Sequence, residues 1–240
     1  NKTNGRENKM SFYTWFYKTF EPFVSWLYKI DAHGVENIPD GGAILASNHT
    51  SFSDVLVISA ASKRQVRYMA KKELFKTPLA PLIKALGAFP VDRGGADVKS
   101  IKYTISLIEN GELVGIFPQG HRHGGEDPRK TEIKAGVGFI AYHTKAKIVP
   151  VFIENDRMKT GIFRKNHVTF GTPISFDELE FTKGGREEYM RASRIIFSHI
   201  CAIKYGEDEL TKEKPLALPD KNNAPEPLTP LKSREKEEEK

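Results

Sequence analysis

The feature that most restricts this chain is a series of short apolar runs, each followed by a turn or a helical stretch. AILAS (43–47), VRYMA (66–70), AFPV (88–91), LVGIFP (113–118), KIVPVFIEN (147–155) and HVTFGTPI (167–174) are four to nine residues long. Several lack the polar–apolar alternation of a strand with one wet face. Strands apolar on both faces belong to a sheet covered by helices on each side. The segments between them supply the helices. DVLVISAAS (54–62) and AGVGFIAYHTK (135–145) read as helical, and KELFKTPLAPLIKAL (72–86) reads as a helix broken at Pro78 and Pro81. DVKSIKYTISLIENGE (97–112) carries Val98, Ile101, Ile105 and Ile108 at three-to-four spacing and stops at Gly111. REEYMRASRIIFSHICAIKYG (186–206) predicts a long last helix. Strand–helix alternation defines an α/β fold with a mixed, largely parallel sheet flanked by helices.

The ends of the chain differ from this middle. Residues 1–9 are polar and predicted disordered, and the chain begins at Asn1 rather than methionine, which leaves room for sequence before it. MSFYTWFYKTFEPFVSWLYKI (10–30) holds both tryptophans, Trp15 and Trp26, among seven other aromatic residues. Lys18, Glu21 and Pro22 interrupt it, and no stretch of the chain approaches the roughly 20 apolar residues of a membrane span. Residues 10–32 therefore read as a helical segment lying at a membrane interface, where Trp and Tyr favour the headgroup level, or as a helix packing its rings on the core. The segment HGVENIPDGG (33–42) is turn-rich and opens the main domain, 33–206. From 207 the chain is proline- and charge-rich, with eight of the last ten residues charged, and is predicted disordered.

A formal charge of +6 calls for an anionic partner: a phosphorylated substrate, an acidic membrane surface or nucleic acid. No nucleic-acid motif accompanies it, so that reading rests on charge alone. The single cysteine, Cys201, excludes an internal disulfide and any multi-cysteine zinc site. His121 and His123 lack further ligands, while His143, His167 and His199 stand isolated in the sequence, so no metal site is expected.

Chemistry concentrates at strand ends. After AILAS comes SNHTSFSD, with His49 five residues before Asp54. A carboxylate there reaches back to one imidazole nitrogen and leaves the other to take a proton, which is a His–Asp pair without a protein nucleophile. The same residues also describe a capped helix start with a satisfied histidine. Two further turns, GAFPVDRGG (87–95) and FPQGHRHGG (117–125), each place an arginine, Arg93 or Arg122, in a glycine-rich loop suited to phosphate.

Taken in order, these blocks resemble the glycerolipid acyltransferases of the lysophosphatidate type. Asn48 to Asp54 is similar to NHxxxxD, and Gly87 to Arg93 to the second block. Phe117 to His123 is similar to FPEGTRS, and Ile148-Val149-Pro150-Val151 to the fourth block. AKKELF (70–75) adds to a likeness that covers roughly 35–175. The resemblance implies His49 as general base, oriented by Asp54. Arg93, Arg122, Gln119, Gly120 and Lys71 are implied on the acceptor's side. Asn48, Pro118 and Pro150 are implied as structural residues or on the acyl side.

The implied reaction moves a fatty acyl group from acyl-CoA or acyl carrier protein to a lysophosphatidate-like acceptor, with no metal or redox cofactor. The implied place is the cytoplasmic face of a membrane. Gln119 stands where the family usually has glutamate, so a positioning role there survives and an acid–base role does not. Other lyso-lipid acceptors, or a non-catalytic lipid-binding relative, are the alternatives.

Overall fold

A computed structural model describes residues 19–78, 80–92 and 98–206. The expectations for 1–9, for 207–240, for most of the aromatic segment before residue 19 and for Arg93 lie outside the described residues. Helix α1 covers 19–27. It is followed by β1 (Ile30–His33), β2 (Ala43–Ser47), α2 (Asp54–Ser62), β3 (Val66–Lys71), α3 (Ala80–Ala85) and β4 (Ala88–Val91). Then come α4 (Val98–Glu109), β5 (Leu113–Ile116), α5 (Gly136–Thr144), β6 (Lys147–Glu154), β7 (Asn166–Phe170) and α6 (Arg186–Tyr205).

The seven strands form one sheet in the order β1-β7-β6-β2-β5-β3-β4. All neighbours run parallel except β6 and β7. The central runs β2, β5 and β6 bury both faces, as their composition required, whereas β3 and β7 alternate buried and half-buried residues and β4 leaves Pro90 exposed. Along β2, Ile44 and Ala46 join the cluster under α4, α5 and α6, whereas Ala43 and Leu45 join the cluster under α1 and α2. This is what lets AILAS dispense with polar residues.

Three local findings depart from the sequence reading. β1 was not legible in it. Its sequence, IDAH, alternates apolar and polar residues but over four positions only, too short to mark a strand, and it pairs along the open edge of β7. The sheet thus begins before residue 33. Helix α4 buries Ser100, Thr104, Leu107 and Ile108, while Val98, Ile101 and Ile105 are only half-buried. The face toward the sheet is therefore rotated from the one the apolar spacing marks. Lastly, 72–86 divides into a short 3-10 turn, Lys72–Lys76, and α3, with Pro81 in the first helical turn, where its missing N–H costs nothing.

Helix α1 packs some of its rings on the core and leaves others in solvent. Val24 and Tyr28, one turn apart, are buried, and Tyr28 donates to Ser53 Oγ at 2.9 Å, tying α1 to the start of α2. Phe23 and Trp26 project from the other side, 52% and 65% exposed. Pro150 is buried in β6. The register shifts by one residue between the Val151–Phe170 pair and the Ile148–Ile174 bridge. Pro150 thus falls opposite an irregular stretch, in which the Gly171 N–H donates to its carbonyl at 2.8 Å. A bulge is where a strand tolerates proline.

Candidate active site

Because β6, β2, β5, β3 and β4 are mutually parallel, the segments that follow them all emerge at one edge of the sheet. In an open α/β sheet that edge is where ligands bind. His49 follows β2, the block Phe117 to His123 follows β5, and Lys71 ends β3. β2 and β3 lie on either side of β5, so their ends are about 10 Å apart at the usual strand spacing.

The SNHTSFSD segment turns from β2 into α2. Asn48 fastens the turn: its amide donates to the Ile153 carbonyl at 2.9 Å, and its carbonyl accepts the Ile153 N–H at 2.8 Å. Asp54, the first residue of α2, is completely buried. Oδ2 accepts from His49 Nδ1 at 2.8 Å, Thr50 N at 2.6 Å and Ser51 N at 2.9 Å. Oδ1 accepts from Thr50 Oγ1 at 3.1 Å and from Thr160 Oγ1. Five donors on one carboxyl suit the ionised, acceptor-only form. The bond to Nδ1 fixes the tautomer that leaves the Nε2 lone pair free. No described residue bonds Nε2. The imidazole stacks on Phe117, with centroids 3.9 Å apart and planes 15° apart, and its side chain is 16% exposed. The pair thus combines a helix start with an oriented imidazole.

The turn after β5 is laid directly against this one. The His123 N–H donates to the His49 carbonyl at 2.7 Å, and the Lys134 N–H to the Pro118 carbonyl at 2.7 Å. A Cβ on Gly124 would lie 2.6 Å from the Thr50 carbonyl, so no side chain fits there. Gly120 has φ +70° and closes a tight turn through its N–H to the Phe117 carbonyl. Farther on, Asp127 accepts from Arg129, which holds its carboxyl below the usual carboxylate range. The Arg129 guanidinium lies 4.0 Å over the Tyr205 ring, anchoring the end of the loop to α6.

Gln119, expected on the acceptor's side, is 1% exposed, and both of its amide atoms are spent inside the protein. Oε1 accepts the His49 N–H at 2.7 Å, Nε2 donates to Thr131 Oγ1 at 2.7 Å, and Thr131 Oγ1 donates to the Pro128 carbonyl at 2.7 Å. It is a positioning residue for the histidine turn. Glutamine suits this chain of bonds, because a glutamate would present Thr131 with an acceptor where the amide presents a donor. Replacing Thr131 with valine should leave the buried Nε2 unpaired, at a cost of about 1–3 kcal/mol. The same change should lower kcat several-fold with the acceptor KM unchanged, and Thr131→Ser should restore both. Thermal unfolding and steady-state kinetics check it.

The remaining expected residues fall as follows. Arg122 is exposed and, among the described residues, has no ion-pair partner. Lys71 is exposed, with Nζ 3.9 Å from Glu73. Pro118 is buried as part of the turn, and Pro150 is buried within β6, so both serve the fold. Cys201 is buried, and burial pushes its thiol up to about 12, which removes it as a nucleophile. His49, Asn48, Gln119, His123, Phe152 and Met158 line part of a small recess that opens to solvent. Thr160 and Thr131 were not found by sequence reasoning. Each lies in a loop with no motif around it, and only the chain path brings Thr160 to Asp54.

A His–Asp pair with a free Nε2, at the carboxyl edge of a parallel sheet and with no protein nucleophile bonded to it, is an arrangement able to take a proton from a substrate hydroxyl. The chain belongs to the acyltransferase family, whose description, "Acyltransferase", matches residues 29–154. It is an acyltransferase enzyme. It is 36% identical over 150 residues to the 1-acyl-sn-glycerol-3-phosphate acyltransferase of Bacillus subtilis, covering 60% of this chain and 73% of that protein. A protein of the same name from Streptococcus pneumoniae is 32% identical over 155 residues, covering 62% of this chain and 56% of that one. The crystal structure of PlsC, the 1-acyl-sn-glycerophosphate acyltransferase of Thermotoga maritima, shares the fold at a TM-score of 0.58 and 21% identity. That match covers 89% of this chain and 84% of the other.

Proposed function

We propose that this protein transfers a fatty acyl group from a thioester donor, acyl-CoA or acyl carrier protein, to the free hydroxyl of 1-acylglycerol-3-phosphate, giving phosphatidate. The observation that carries this is the 2.8 Å bond between His49 Nδ1 and buried Asp54, which leaves Nε2 free. In the reaction, Nε2 takes the hydroxyl proton as the oxygen attacks the thioester carbonyl. Asp54 stabilises the imidazolium. The tetrahedral intermediate then expels the thiolate, which takes that proton back, so histidine ends as it began and no metal or redox cofactor enters. Arg122 and Lys71, on the same sheet edge, supply positive charge for the acceptor's phosphate, to which Arg93 adds by its place in the second block.

The acceptor is a membrane lipid, and the protein meets it at the cytoplasmic face of a membrane as a peripheral protein. No helix among the described residues is long and apolar enough to cross a bilayer. A ridge made of Phe23 and Trp26 from α1 with Ile162 and Phe163 from the segment before β7 supports this reading. Trp26 and Phe163 meet edge to face at 6.0 Å, and all four side chains are more than half exposed. Aromatic rings held in this way favour the headgroup level of a bilayer.

The test is transfer of labelled acyl groups from acyl-CoA and from acyl carrier protein to lysophosphatidate in vesicles. A lysophospholipid with an esterified phosphate headgroup serves as the competing acceptor. Transfer to lysophosphatidate is expected, with one donor preferred. Absence of transfer to it from both donors, in folded protein, overturns the proposal.

A further inference from the structure

Among the described residues, one group of three potential metal ligands converges away from the catalytic turn: Asp31, His33 and His167. The sheet puts them there. Asp31 and His33 are two residues apart on β1, so they share a face, and Asp31 is paired directly with His167 on the parallel neighbour β7. Read along the sequence, His167 is isolated; strand pairing across 136 residues gives it partners. His33 Nε2 lies 3.3 Å from Asp31 Oδ1, and His167 Nδ1 lies 3.1 Å from Asp31 Oδ2. The two imidazoles stack within 13° of parallel. Side-chain exposures of 57%, 39% and 32% for His33, His167 and Asp31 leave the group open to solution.

We propose that these three side chains form a zinc-class metal site that staples the edge strand β1, with α1 ahead of it, to β7. Zinc takes imidazole nitrogen and carboxylate oxygen at about 2.0–2.2 Å, which sets tetrahedral ligand atoms about 3.4 Å apart. Each imidazole already lies near that distance from one oxygen of Asp31, His33 from Oδ1 and His167 from Oδ2, and one ligand atom from each of the three residues lies within 4.8 Å of the others. Two imidazoles and one carboxylate leave the fourth position to water.

The site stands at the sheet edge, where β1 has β7 as its one neighbour. Cross-linking the two strands there adds stability where a short polar strand has little of its own. Lys165 opposes the metal, with Nζ 3.0 Å from Asp31 Oδ2, because its charge repels a dication.

The experiment titrates the full chain, freed of metal with a chelator, with Zn²⁺ by calorimetry and with Co²⁺ by visible absorption. One saturable site is expected, with the intense bands of tetrahedral cobalt. A 100-fold excess over Kd should raise the Tm by about 5–10 °C. His33→Ala and His167→Ala should each abolish the site, His121→Ala should leave it intact, and Lys165→Met should tighten it. Circular dichroism confirms that the variants are folded. Absence of saturable binding, or binding that persists in both His33→Ala and His167→Ala, overturns the proposal. So does an unchanged affinity in Lys165→Met.

Discussion

Replacing His49 with alanine lowers kcat by a factor of about 10²–10⁴, the usual contribution of a positioned general base. The acceptor KM stays near its wild-type value. The expectation follows from the separation of the imidazole's two faces. Nδ1 is committed to Asp54, Phe117 packs on the ring, and Nε2 alone is left for a substrate. The fold survives the change. The side chain is 16% exposed, so the core loses little, and Asp54 keeps its four other donors. The backbone bonds that join the two turns, from His123 N–H to the residue-49 carbonyl and from the residue-49 N–H to Gln119, do not depend on the ring. Steady-state kinetics beside a thermal unfolding curve decide the matter. A folded variant within about tenfold of wild-type kcat would remove His49 from the chemistry.

Asp54 is expected to separate charge from structure. Asp54→Ala strands two backbone N–H groups in a buried pocket and one threonine hydroxyl, since the Thr50 and Thr160 oxygens, 3.0 Å apart, leave one of them only the other to bond. Each unmet donor costs about 1–3 kcal/mol, so a loss of at least about 3 kcal/mol follows and unfolding begins far below the wild-type Tm. Asp54→Asn behaves differently. The Thr50 and Ser51 N–H groups both aim at the oxygen position that His49 uses, so they fix the asparagine carbonyl there. The amide nitrogen then faces the Thr50 and Thr160 hydroxyls, which can turn to accept from it. The histidine tautomer is kept and only the negative charge is lost. Asp54→Asn should therefore stay within about 1–2 kcal/mol of wild-type stability while kcat falls about 10²-fold or more. Urea unfolding and kinetics of both variants test this. An Asp54→Asn enzyme of full activity would show that the carboxylate's charge contributes nothing.

The His49–Asp54 pairing was legible in the sequence, because its geometry is local: the two residues lie on one turn between β2 and α2, where five residues of spacing fix their separation. The apolar runs were equally plain, since a strand buried on both faces must be apolar throughout, and each became a strand where expected. Other features depended on contacts between distant segments. The role of Gln119 changed once its neighbours were known, from a group facing substrate to one bridging the His49 backbone and Thr131. The buried face of α4 follows Ser100 and Thr104 rather than the apolar spacing, since the helix is oriented by the sheet and by its neighbours.

Sequence alone therefore determined the class of fold and the contact between His49 and Asp54, because hydrophobic periodicity and short spacings act within a few residues. Tertiary structure alone decided what surrounds that pair. Thr160 reaches Asp54 across 106 positions, Asn48 clamps Ile153 across 105, and the edge strand β1 exists through its pairing with β7. Those partners are chosen by the order in which strands lie side by side, and a strand's own residues do not specify that order: burial rewards any arrangement that covers both faces, and only the complete sheet selects one.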